Sequence, residues 1–78
     1  MDFTDEQRAV LMQLLEGART LTKYYSDHRQ MTLQNSVNAA AGLKPVHDDY
    51  TIEWKRTQEA KTMNQAVVLA AMLGVELL

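Results

Sequence analysis

Residues 65–78, QAVVLAAMLGVELL, would form a helix that is apolar almost all the way round, and such a helix needs cover on more than one side. In a fold of two or three helices each helix meets neighbours over only part of its circumference, so this stretch calls for a central position or a partner. Its uninterrupted apolar run, residues 66–75, is about half the roughly twenty residues that cross a bilayer, and Glu76 follows at once. An interfacial helix would carry a polar face rich in Lys and Arg, whereas Glu76 is the sole charge from Gln65 onward. Burial in protein is therefore expected, with no membrane partner.

The 78 residues suit one domain, 1–78, near the lower size at which a single core suffices, so burial by association would count for much. Without cysteine, disulfide frameworks, thiolate metal sites and cysteine nucleophiles are excluded. A formal net charge of -2 supplies no field for coating double-stranded nucleic acid. The opening MDFTDEQR is acidic where a secretory leader would be basic and then apolar, which gives the expectation of an intracellular, cytoplasmic protein.

Helical signals organise the chain. Thr4 with Gln7 forms a capping-box pattern, and Asp5 and Glu6 sit where the helix dipole favours acid, so helix 1 is expected over about 5–25. Leu11, Leu14, Ala18, Leu21 and Tyr25 recur at alternating three and four spacing as its core stripe, flanked by Val10 and Leu15. Gly17 interrupts it, at a cost of about 1 kcal/mol relative to Ala or as the mark of a close helix crossing. Continued past Tyr25, that stripe meets His28, Thr32 and Asn35, which are poor core residues. A second line of Leu33, Val37 and Ala40 begins instead. With Asp27 and Gln30 as a new cap, this predicts a break near Ser26 and a helix 2 over about 28–41; one long bent helix is the alternative. Gly42 and Pro45 end it, residues 42–48 form the loop, and Asp48 or Asp49 starts helix 3 over about 49–74.

At about 100° per residue, Met63, Ala66, Val67, Ala70, Leu73 and Leu77 share one broad face of helix 3. Val68 and Met72 fall on a second, in line with Tyr50 and Trp54. The expected fold is all-α: a small helical hairpin or three-helix domain, assembled by self-association into a larger bundle, a homodimer or higher oligomer. The competing arrangement wraps helices 1 and 2 around both sides of helix 3 as a monomer.

No motif specifies chemistry. His28 and His47 have acidic neighbours but lack the His-x-x-x-His spacing that sets two metal ligands on one helix face, so they read as solvated residues at helix caps. Ser26 and Ser36 lack a nucleophile motif, and the three glycines form no phosphate loop. The expectations are no catalytic residue, no metal, no cofactor and no enzyme. The function expected is that of a small protein–protein interaction module, an adaptor or inhibitor. Its anchors would be Val68, Leu69 and Met72, with Tyr50 and Trp54 as aromatic hot spots. Such chains are common in phage and mobile-element genomes, which places this one in that class of expectation. The alternative is a nucleotide or other anionic small ligand held by Arg19, Lys23, Tyr24, Arg29, Lys55 and Arg56. Against it, Glu16, Asp27, Glu53 and Glu59 are spaced to pair with these cations along the same helices.

Overall fold

The structure, a computed structural model, describes residues 2–77. It is all-α, with α1 over Asp5–Tyr25, α2 over His28–Ala40 and α3 over Asp49–Leu73. The expected cap of α1 forms: Thr4 Oγ1 accepts from the Gln7 amide at 3.1 Å, and the Gln7 side chain accepts from the Thr4 amide at 2.9 Å.

The break near Ser26 is a bend within one long helix. Ser26 and Asp27 both keep right-handed helical dihedrals (φ -64, ψ -11 and φ -63, ψ -13). The Asp27 and Arg29 amides bond three residues back, to the Tyr24 and Ser26 carbonyls, a tightened turn that bends the axis without ending the helix. Asp27 makes no side-chain cap, contrary to expectation, because its carboxylate reaches across to Lys55 Nζ at 2.7 Å.

At the far end of α2, Gly42 takes the left-handed conformation (φ 74) and the Leu43 amide returns to the Asn38 carbonyl at 2.8 Å, a glycine stop. Asp48 then caps α3 by accepting from the Thr51 amide. Bonding of Asp48 to that amide, which favours the ionised form, holds its carboxyl below the usual range.

α3 runs back antiparallel along the whole bent helix, as its cross-links show: Arg8 to Leu73, Thr22 to Thr62, His28 to Glu59. The result is an elongated hairpin of 58 × 19 × 14 Å. Because α1 and α2 lie end to end, they do not wrap α3 from two sides, and the wrapped monomer is excluded.

The apolar core is small and lies between α1 and α3. Leu15 and Ala18 pack against Ala66, Ala70 and Leu73, with Leu11, Leu69, Val75 and Leu77 partly covered around them. Alanine on both helices lets the backbones approach closely. Gly74 (φ 67) ends α3 and turns Val75 and Leu77 back onto this cluster. The stripe on α1 is offset from the one expected: Leu15 is 2% exposed, whereas Leu14 is 54% exposed and Leu21 is exposed too. Within the seam, Thr22 and Thr62 hydroxyls meet at 2.7 Å, one donating to the other, and the acceptor donates to a carbonyl of its own preceding turn.

Beyond the bend the seam continues through two of the residues that looked unfit for it, His28 and Asn35, while Thr32 stays exposed. Leu33 and Val37 are exposed, while His28 is buried and Asn35 half-buried toward α3 and the loop. Asn35 Oδ1 accepts from the Val46 and His47 amides, both at 3.0 Å, and its Nδ2 donates to the His47 carbonyl at 2.8 Å. Among the described residues, every buried side-chain nitrogen or oxygen has a hydrogen-bond partner.

Candidate interaction surface

α3 presents a clean division between its sides. Ile52, Thr62, Ala66, Ala70 and Leu73 are buried on one side, facing the long helix. At about 100° per residue, Tyr50, Trp54, Val68 and Met72 project from the other. Tyr50 is 80% exposed and Val68 58%, with Trp54 and Met72 also open to solvent. Leu69 differs from the other anchors named from the sequence, since it is half-buried against the core.

α1 carries a second apolar line that the sequence reading merged with the core stripe. Val10, Leu14, Gly17, Leu21 and Tyr24 follow one another in steps of four and three, one residue out of phase with the packed line Leu11, Leu15, Ala18, Thr22 and Tyr25. All five are exposed. This line lies on the same side of the hairpin as Trp54. Tyr24 meets Tyr25 edge-on at 5.2 Å, and Tyr25 meets Trp54 edge-on at 5.6 Å, so an aromatic chain crosses from α1 to α3 there. The opposite side has a different character: Glu16, Arg19 and Lys23 of α1 line an open cavity of about 660 Å³ with Glu59 and Met63 of α3, and Leu77 forms part of its wall.

The residues named for anion capture meet in part: Lys55 stands by Tyr24, and Arg29 reaches Glu59 at the cavity that Arg19 and Lys23 line, while Arg56 lies apart. Arg19 and Lys23 share that cavity with two carboxylates. Arg56 lines a separate cavity of about 480 Å³ near the loop and pairs with Glu53 at 3.1 Å. Arg29 grips Glu59 with two nitrogens, each at 2.9 Å. Lys55 lies 5.2 Å from the centroid of the Tyr24 ring while bonded to Asp27, and that bond, reinforced by the aspartate charge, raises its pKa. Of the ion pairs expected along single helices, Glu53 with Arg56 forms that way. Asp27 and Glu59 instead pair between helices.

His28 is buried, not solvated, with Nε2 2.9 Å from Glu59 Oε1. The bond from His28, together with Arg29, holds the Glu59 carboxyl below its usual range despite partial burial. His47 is half-buried and its ring bonds Gln34, so the histidines serve separate contacts. Among the described residues, no group of three or more His, Cys, Asp or Glu could hold a metal ion, and no helix is long and apolar enough to cross a membrane. Compared with protein-family models, curated proteins and solved structures, the chain matches none.

Proposed function

We propose that this chain is a protein–protein interaction module that associates with itself and acts as an adaptor or inhibitor by binding another protein. The observation that carries this reading is the uncovered far side of α3, where Tyr50, Trp54, Val68 and Met72 remain exposed although the hairpin is complete. Covering a side chain of Val or Met stabilises by roughly 1.5 to 3 kcal/mol, so the combined gain offered to a partner is several kcal/mol. Exposed apolar side chains of this kind suit an interaction surface; Val68 and Met72 stand toward one end of α3, and the aromatic pair, beyond Thr57 and Lys61, supplies large rigid anchors at the other. Against the anion-binding alternative, Arg29, Lys55 and Arg56 are each paired with a carboxylate, and Arg19 and Lys23 share their cavity with Glu16 and Glu59.

The test is absolute molar mass by light scattering across a wide concentration range. A fixed multiple of 8.9 kDa is expected, falling toward 8.9 kDa in Val68→Glu with Met72→Glu. A mass of 8.9 kDa at every concentration removes the self-association claim.

A further inference from the structure

We infer that a second copy of this chain packs on the broad side of the hairpin formed by Val10, Leu14, Gly17 and Leu21 of α1 beside Trp54 and Met72 of α3, closing a four-helix bundle. This rests on the self-association proposed above and specifies where it occurs.

The period of the α1 line is the first reason. Steps of four and three are the spacing at which one helix packs along another, and α1 has two such lines, of which α3 covers one. The second line therefore fits a helical partner lying along it. Charge is the second reason. Between Val10 and Leu21 this line holds no charged residue, while Glu16 and Arg19 of the same helix point into the cavity on the opposite side. With Lys61 between Trp54 and Met72 as the charge on its α3 half, such a face offers little charge pattern to select a foreign protein, but it suits a copy of itself, because a two-fold interface sets the same patch on both partners. Size is the third. The whole broad side, its α2 end included, is 58 × 19 Å in outline and on the order of 1,100 Å² in projection, so contact along most of its length reaches the area of about 800 Å² that each partner gives to a standard interface. Two such hairpins face to face give the second apolar line of α1, with Trp54 and Met72 of α3, a neighbouring helix.

Gly17 supplies an independent sign. It lies mid-helix with a right-handed backbone, and a Cβ added there would meet nothing within 4 Å. The single chain thus gives no packing reason for a glycine that weakens its helix. Between Leu14 and Leu21, however, Gly17 leaves a notch in the exposed line, and a large side chain from a facing helix fills it.

The experiment measures the self-association constant of the full chain by sedimentation equilibrium, with helicity followed by circular dichroism at the same concentrations. Leu14→Glu with Leu21→Glu is expected to weaken association by about a hundredfold or more, since it buries charges in an apolar interface. Gly17→Leu, which meets no atom of its own chain, is expected to weaken it about tenfold by filling the notch. Lys23→Glu with Arg56→Glu is expected to leave association unchanged. If wild type associates and neither the Leu14/Leu21 pair nor Gly17→Leu weakens it, this face is not the interface, although self-association stands. If wild type is a monomer throughout, both proposals fall, and the face awaits a foreign protein. Should the double glutamate variant lose its helicity, Gly17→Leu decides: weaker association supports the inference, and an unchanged constant overturns it.

Discussion

The two halves of the hairpin are held together by different physics. Between α1 and α3 the contact is made by Leu15, Ala18, Ala66, Ala70 and Leu73, with a hydroxyl pair as its internal polar element. Between α2 and α3 the buried apolar side chain is Ile52. The rest of the attachment is His28 and Arg29 on Glu59 and Lys55 on Asp27, with Asn35 tying α2 to the loop that leads into α3. Apolar contact scales with area and tolerates small shifts, whereas each polar link works only at its own geometry and leaves an unpaired group when broken. The comparison teaches that the same seam can run through leucine at one end and asparagine at the other, provided each polar atom finds a partner.

The comparison is broken most severely at Leu15. Leu15→Ala leaves a cavity in the small cluster and should cost about 2 to 5 kcal/mol, a large share of the stability of so short a domain. Urea unfolding should show a lower midpoint for the whole hairpin, and a smaller loss than that of Ile52→Ala would invert the contrast drawn above.

Asn35→Ala strips the acceptor from two loop amides and should cost about 1 to 3 kcal/mol. Hydrogen exchange should quicken in α2 and the loop while the α1 amides around Leu15 stay protected. Uniform quickening along the chain would mean that the halves unfold as one unit.

The smallest effect is one of pH. Glu59 titrates below the usual 4.5 in the folded chain, so the unfolded state binds more protons over that interval. The stabilisation is complete above 4.5 and disappears as pH falls through the lowered folded value. Thermal unfolding of Glu59→Gln should lose this part of the acid dependence, and a variant with the full wild-type profile would place the acid sensitivity elsewhere.

The local chemistry of three helix ends was legible in the sequence, because it is written within four residues at Thr4 with Gln7, Gly42 after Ala41 and Asp48 before Thr51, whereas the cap expected at Asp27 failed because Lys55 of α3 takes its carboxylate. The core stripe of α1 was not. Leu11, Leu15, Ala18 and Val10, Leu14, Leu21 are adjacent lines of equal apolarity, and α3 alone decides between them. The polar half of the seam was hidden for a related reason. Asn35 resembles a surface residue until Val46 and His47, eleven and twelve positions on, are brought to it. Of the candidate surface, Val68 and Met72 were readable from helical angles, but the α1 line beside them carried only a heptad spacing that could equally have been core.

The hydroxyl contact between Thr22 and Thr62 has an effect on alignment that its modest energy conceals. A seam built of alanine and leucine is held by apolar contact, which is non-directional and gives little directional resistance to axial sliding. Slipping α3 by seven residues one way sets Thr62 against Leu15, and the other way sets Thr22 against Leu69. Either slip separates the two hydroxyls and loses the bond between them, together with the Arg8–Leu73, His28–Glu59 and Asp27–Lys55 links that share this alignment. This shared proton thus helps set which residue of α3 stands opposite which residue of α1, as a buried polar residue helps set the alignment of paired helices.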